Sequence, residues 1–396
     1  MNDFLNQALE LFPYTQTLRR DFHMHPELGF NEIRTGGIVA KELEALGMEV
    51  TKGVGKTGVV GLLEGAKPGP TLLIRFDMDA LPILEETGAE YASHNAGIMH
   101  ACGHDGHTAI GLTVAKMLHA HRDGLAGTVK FVFQPAEETL GEEGLGGAEM
   151  MIRDGVLDAP KPDYALSLHL WNEQPLGWLG VAAGPVMAGA DEFKVRVIGR
   201  GGHGAIPQAA VDPIVAAAQI VTALQSIVAR NVAPVETAVV TVATIHAGTA
   251  FNVIPPDVVM NGTIRTFEPS VREKVIRRFE EITRGVAAAM GCQAEIEIKR
   301  VTPPVINNAD AAGRVQEAAR LVLPESNLDT NGYITMGAED MAYMLERIPG
   351  CYFFVGSANH EKGLDYGHHH PKFNVDEDAL PRAAALMAAA AVNFLK

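Results

Sequence analysis

Short apolar runs alternate along the chain with longer amphipathic stretches. The first of these, residues 2–24, repeats apolar positions at helical spacing with charges between them and predicts an amphipathic helix. A loop containing Gly and Pro leads to a second helix near 33–47, ended by Gly47. VVGLLEG (59–65) and TLLIRFD (71–77) read as strands, residues 107–121 as a helix, and TVKFVFQ (128–134) as another strand. Helix 143–154, strand YALSLHL (164–170) and a Gly-rich stretch near 177–189 follow. Strands alternating with helices predict an α/β sheet covered on both faces.

Residues 190–300 follow another order. DEFKVRVIGR (191–200) alternates apolar and polar positions as a half-buried strand does. DPIVAAAQIVTALQSIVA (212–229) reads as a helix of about five turns. TAVVTVATIHAG (237–248) and VVMNGTIRTF (258–267) are strands, residues 270–290 a second long helix, and QAEIEIKRV (293–301) a last strand. The order βαββαβ is that of a self-contained ferredoxin-like unit. Beyond it, helices 310–322, 338–347 and 378–394 and strand CYFFVG (351–356) resume the α/β pattern. We therefore expect one α/β domain from residues 1–186 and 296–396, its central sheet covered by helices, and an inserted ferredoxin-like βαββαβ domain at 187–295.

Composition narrows the function classes. The chain has 396 residues and a formal net charge of −16. An acidic surface repels phosphate backbones, which argues against nucleic acid as a partner. No uninterrupted apolar run reaches the ~20 residues of a transmembrane helix, so no membrane partner is expected. The N-terminal stretch carries charges where a signal peptide is apolar, and the expected location is cytoplasmic. Three cysteines, Cys102, Cys292 and Cys351, do not make a disulfide framework. Cys292 and Cys351 adjoin apolar strand-like runs. Cys102 lies instead among histidines and glycines.

Four polar segments share a placement. RFDMDALP follows strand 71–77, QPAEE follows strand 128–134, His169 closes strand 164–170, and GHHHP lies downstream of strand 351–356. In open α/β sheets, ligands sit beyond the carboxyl ends of the strands, so these groups should converge on one rim. MHACGHDGH (99–107), in the loop before helix 107–121, belongs on the same rim. Cys102 and His104 are two residues apart, and in an extended loop both can point at one ion. Thiolate and imidazole suit zinc and similar divalent metals. His100, Asp105 and His107 read as supporting or capping groups. The adjacent Glu137 and Glu138 point in different directions, so one can bind metal while the other takes a proton from an activated water. Asp79 reads as an acceptor that orients a ligand histidine. The run His368-His369-His370 is ambiguous by itself. In the inserted unit, His203 in a Gly-rich turn, Asn252 and Arg265 are candidates for binding the carbonyl and carboxylate of a substrate.

Taken together, RFDMDALP, MHACGHDGH, QPAEE, GRGGHGAIP, NVIP, GTIRTF, GAEDMAYM and HHP-x-F resemble the M20 metallopeptidase family over nearly the whole chain. The resemblance points to its amidohydrolase branch, with hippurate hydrolases, N-acyl-amino-acid hydrolases and auxin-conjugate hydrolases. It implies two divalent metal ions per subunit, zinc first, with manganese, nickel or cobalt as alternatives. Cys102 would bridge them; His104 and His169 would complete one site, Glu138 and His369 the other. Asp77 stands where other branches carry a metal-binding histidine, and His104 takes over that duty. Glu137 would be the general base, Asp79 the orienting partner, His203 the oxyanion donor, reaching across from a partner subunit, and Asn252 and Arg265 the substrate-binding residues. The inserted unit would be the family's lid and dimerisation domain, making a homodimer or higher homo-oligomer. The expected reaction is cleavage of an N-acyl amino acid to a carboxylic acid and a free amino acid, with dipeptide cleavage, or a metal-stabilised protein without catalysis, as alternatives.

Overall fold

The structure is a computed structural model in which residues 3–396 are described. The chain divides into two compact units, the first comprising residues up to Val186, Ile306–Ile334 and Asp340–Lys396, the second Met187–Val305 and Thr335–Glu339.

In the first unit, eight strands form one sheet in the order Glu49–Val54, Gly58–Glu64, Ala126–Gln134, Lys67–Asp77, Tyr164–Pro175, Gly350–Ala358, Trp178–Gly180, Asn327–Asp329. The four strands from Ala126–Gln134 to Gly350–Ala358 are mutually parallel. Their carboxyl ends therefore leave the sheet on one edge. Both faces of the inner strands are buried, which is why TLLIRFD and TVKFVF read as continuous apolar runs. The α/β architecture expected from the alternation is present.

Helices His104–Ala120, Ala309–Val322 and Ala379–Phe394 pack on this sheet and on one another. Ala379–Phe394 is apolar nearly all round because nearly all of it is buried, and its alanines allow close approach. A Cβ at Gly111 would lie 2.6 Å from Phe76 and 2.8 Å from Phe133. Glycine there lets the His104–Ala120 helix lie directly on the ends of two inner strands.

Several element bounds differ from the sequence reading. The N-terminal helix is two helices, Phe4–Glu10 and Phe12–Met24, because Pro13 starts a new first turn rather than continuing an old one; Asn2 lies outside the described residues. The 107–121 helix begins at His104, where Gly103 at φ 93 turns the chain into it. His104 is thus helical rather than part of an extended loop. The 143–154 helix is only Gly147–Arg153, since Gly144 (φ 72) forms a turn on Gly141. The 338–347 helix shrinks to Ala342–Leu345, because Asp340 turns inward to Arg75, Gln134 and the Ala148 N–H.

The second unit has the βαββαβ order. Its sheet runs Ala238–His246, Asp257–Thr266, Gly189–Ile198, Gln293–Thr302, all antiparallel. Phe193, Val195 and Val197 face the core and alternate with exposed Glu192, Lys194 and Arg196. Helix Pro269–Ala289 covers that face with Val271, Val275, Phe279 and Ala287, and Pro213–Ser226 adds Ala216, Ala217, Ile220 and Leu224. The boundary expected at 295/296 is corrected to Val305, because Gln293–Thr302 pairs with Gly189–Ile198 and a cut at 295 would split that ladder. Residues 213–231 have the length and composition of a membrane span, with mean hydropathy 1.4. Their inward face fills the core of this unit.

Candidate metal centre

Register sets the floor of the site. Asp77 pairs with Gln134, Arg75 with Ser167, and His169 with Phe354. Two residues beyond Arg75 and Ser167, Asp77 and His169 come level at the carboxyl edge of the sheet. From that edge the chain continues to Asp79 and to Glu137 and Glu138, and His104 begins its helix beside them.

Cys102, His104 and His169 each place one ligand atom within 4.8 Å of the others, all three buried. The histidine tautomers follow from their other nitrogens. His169 Nδ1–H donates to the Leu170 carbonyl at 2.8 Å, which leaves Nε2 with a lone pair, 3.4 Å from Cys102 Sγ. His104 Nδ1–H donates to the Asp79 carbonyl at 3.0 Å and to Asp79 Oδ1 at 3.2 Å. Its Nε2 is buried without a hydrogen-bond partner. The nearest carboxylate oxygen, on Asp77, is 3.8 Å away. A buried nitrogen aimed at a thiol and a second imidazole fits a metal ion and suits little else.

Cys102, Glu138 and His369 form a second such set. His369 Nε2 lies 2.9 Å from Glu138 Oε1. His369 adopts φ 64, with its N–H on the Ala101 carbonyl at 2.7 Å. That left-handed turn separates it from its neighbours. His368 Nε2 is on the Leu170 carbonyl at 3.0 Å and its ring lies against Trp171, whereas His370 stacks on Tyr366 and its Nδ1 accepts the Lys372 N–H. Cys102 is common to both sets, as two ions sharing one thiolate require. His104, Glu137 and Glu138 also lie within reach of one another.

The charges point the same way. Burial, then the Glu138 and Glu137 carboxylates, push the Cys102 thiol well above its ordinary value. A thiol crowded by carboxylates ionises when a cation arrives. Burial works against protonation of His104, but Asp77 and Asp79 hold it up to about 10, so an arriving cation takes the place of its Nε2 proton. Burial, then His107 and His368, push His169 well below its ordinary value, so it is a neutral imidazole. The hydrogen bond to Glu138 raises His369. These donors fit two divalent ions.

His107 also lies within reach of Asp77 and His104, but its nitrogens already have partners. Its Nδ1–H donates to Asp77 Oδ1 at 2.6 Å and its Nε2 accepts the Leu170 N–H at 2.9 Å, so both nitrogens are committed. The Leu170 backbone is thereby held by His107, His169 and His368. Asp77 lies between His107 and Arg75, whose Nη1 donates at 2.6 Å. Burial pushes His100 down to about 4, and its ring is neutral.

Two buried arginines, Arg75 and Arg19, support the site without standing among its candidate residues. Arg75 is fully buried and ties Asp77 to Gln134 and Asp340; its signal was a charge inside an apolar strand. Arg19 is also fully buried, on Asp105 and Asn374. It sits on an amphipathic helix where charges are ordinary, so it left no signal.

In the second unit, His203 and Asn252 meet on a two-stranded ribbon, His203 paired with Val253 and the Gly204 N–H on the Asn252 carbonyl. His203 Nδ1 accepts the Ala205 N–H at 3.0 Å, so its proton resides on Nε2, at an exposed side chain. Arg265 lies on strand Asp257–Thr266, between Ala190 and Val239 and apart from that ribbon in the strand ladders.

Residues 73–393 match the model of Peptidase family M20/M25/M40. Thermostable carboxypeptidase 1 of Saccharolobus solfataricus is 39% identical over 391 residues, 98% of this chain and 97% of that one. N-acetyl-L-cysteine deacetylase of Bacillus subtilis is 40% identical over 381 residues, 96% of this chain and 87% of its own. Among solved structures, the Bacillus subtilis YXEP protein, a dinuclear metal binding peptidase from the M20 family, superposes with a TM-score of 0.85 at 35% identity, covering 98% and 99% of the two chains. The chain belongs to peptidase family M20/M25/M40 and is a metal-dependent hydrolase of amide bonds.

Proposed function

We propose that the protein cleaves N-acyl amino acids to a carboxylic acid and a free amino acid. The observation that carries this reading is the pair of donor sets sharing Cys102, with Glu137 beside them. In this reading Cys102, His104 and His169 hold one divalent ion and Cys102, Glu138 and His369 the other; zinc is the first choice for thiolate and imidazole, with manganese, nickel or cobalt as alternatives. Two such ions, when bound, polarise a carbonyl and make water acidic enough to deprotonate near neutral pH. Glu137 takes the proton of the attacking water and returns it to the leaving amine. Asp79 takes the His104 Nδ1–H, which turns Nε2 toward the ion that would replace its proton. His203 donates its Nε2–H to the developing oxyanion. Asn252 and Arg265 bind the substrate's polar groups, Arg265 suiting a carboxylate.

The proposal includes a cytoplasmic homodimer. Three unpaired, buried cysteines suit a reducing compartment. Ile214, Val215 and Val228 on residues 213–231, and Ile245 on the sheet-edge strand Ala238–His246, are exposed apolar groups of the kind a second copy covers. The identity to a carboxypeptidase supports a second reading, dipeptide cleavage by the same groups.

Metal-loaded protein assayed on N-acetyl, N-benzoyl and dipeptide substrates separates the two. Higher kcat/KM on the acyl amino acids is expected; dipeptides cleaved faster than all of them would overturn the first reading. Glu137→Gln should lower kcat roughly 10²–10⁴-fold with metal content retained. Near-normal turnover in that variant removes Glu137 as the base.

A further inference from the structure

Among the described residues, four other than glycine have positive φ: Phe30 (63), Lys56 (79), Ala136 (47) and His369 (64). Residues other than glycine rarely adopt such angles, and where they persist the surroundings hold them. His369 belongs to the metal centre. The other three lie around one side chain, Glu32.

Glu32 is 0% exposed. Its Oε1 accepts the Ala136 N–H at 2.9 Å, and its Oε2 accepts the Thr57 hydroxyl at 2.5 Å. Thus it stands two residues after Phe30, grips the residue after Lys56, and grips Ala136 itself. The Phe30 ring lies 4.4 Å from Lys56 Nζ. A Cβ on Gly29 would lie 3.0 Å from the Ala136 Cβ and 3.2 Å from the Thr139 Cβ. Glycine there lets the 29–32 segment press against the 135–139 turn.

That turn presents Glu137 and Glu138, and its peptide groups are held on both sides of Glu137. The Ala136 N–H is on Glu32, the Ala136 carbonyl accepts the Gly147 N–H at 2.9 Å, and the Glu138 N–H is on Asp79 Oδ2 at 2.9 Å. Asp79 also orients a metal ligand. Glu32 makes its side-chain hydrogen bonds to Thr57 and Ala136 and not to a ligand, so it acts on the site through the backbone of the turn, whose Glu138 end is held separately by Asp79.

We propose that Glu32 is a positioning residue for amide hydrolysis: it holds Ala136 left-handed and so aims the Glu137 carboxylate. This rests on the reading of Glu137 as the base. Glu32 acts through the backbone and takes no part in proton transfer.

The test measures kcat, KM and bound metal for Glu32→Ala, Glu32→Asp, Glu32→Gln, Glu137→Gln and the double variant Glu32→Ala/Glu137→Gln. Glu32→Ala should lower kcat roughly 10–100-fold, as misplacement of a reacting group does, with KM and metal content near wild type. Glu32→Asp, one methylene short, should fall in the same direction and serves if the alanine variant does not fold. Glu32→Gln keeps an oxygen for the Ala136 N–H and should retain most of the activity. The double variant should be no slower than Glu137→Gln alone, because both changes act through one group. Wild-type kcat in both Glu32→Ala and Glu32→Asp, a loss of kcat matched by loss of metal, or an additive double variant would overturn the proposal. Near-normal turnover in Glu137→Gln would instead overturn the base assignment, whatever the Glu32 single variants show.

Discussion

Asp77 and Asp79 leave the same strand end, and their neighbours give them different duties. Asp77 lies between Arg75 and His107 and fixes the floor of the site. Asp79 reaches His104 and the Glu138 N–H and fixes two of the candidate ligands. Burial opposes ionisation of both, and the adjacent histidines, with Arg75 for Asp77, keep both below the ordinary carboxylate value. Glu32 goes the other way: burial, then Asp79, push its carboxyl up from 4.5 to about 7. A raised folded-state pKa contributes stability that is full below the unfolded value and is lost as pH rises through the folded one. Metal-free wild type should therefore lose stability relative to Glu32→Gln as pH rises from about 4.5 through about 7. Urea midpoints for the two proteins across this window check it; parallel pH profiles would show that Glu32 has an ordinary pKa.

The helix His104–Ala120 brings His104, a candidate ligand, to the rim because Gly111 lets it lie on Phe76 and Phe133. Its first turn is also where the Phe12–Met24 helix docks. Arg19 donates to Asp105 at 2.9 Å and to Asn374 at 2.8 Å, and His23 Nδ1 is 2.7 Å from the same Asp105 oxygen. Burial would raise the Asp105 carboxyl, but Arg19 and His23 hold it well below the usual range. Removing one member leaves a buried charge without its partner. Arg19→Met should cost roughly 3–5 kcal/mol, and Arg19→Met/Asp105→Asn should recover part of it. Denaturant midpoints measure both; an Arg19→Met protein as stable as wild type would show the cluster to be solvated. Asp105 reads from the sequence as a supporting group, but its partners were not legible there. Arg19 and Asn374 are 355 residues apart, and in an exposed amphipathic helix the same arginine would do nothing.

Each unit has its own hydrophobic core, while Cys102, His104, Glu138, His169 and His369 belong to the first. Ions that bind only the folded site stabilise it by mass action, about 4 kcal/mol at a thousandfold excess over Kd. In calorimetric scans, chelation should lower the melting transition of the first unit and leave that of the second in place. Cys102→Ala, which takes one donor from both sets, should abolish most of that shift. A single transition moving as a whole would show that the units unfold together, and an unchanged scan would count against the metal centre.

The sequence by itself determined the α/β alternation, the ferredoxin-like order, the strand ends that carry carboxylates and histidines, and the motifs of the family. These are local patterns, and periodicity, turn residues and motif spacing record them. Tertiary structure decided what depends on partners far along the chain. The family motifs already implied Cys102 in both sites, His369 as a ligand and His107 as support; the fold supplied the contacts, setting Cys102 near both donor sets, committing both His107 nitrogens to Asp77 and Leu170, and separating His369 from His368 and His370 through one left-handed residue. It also set Glu32 behind a turn 104 residues away. A side chain's chemistry is written in its type, but its protonation, tautomer and direction are set by the atoms packed against it, and only the folded chain supplies those.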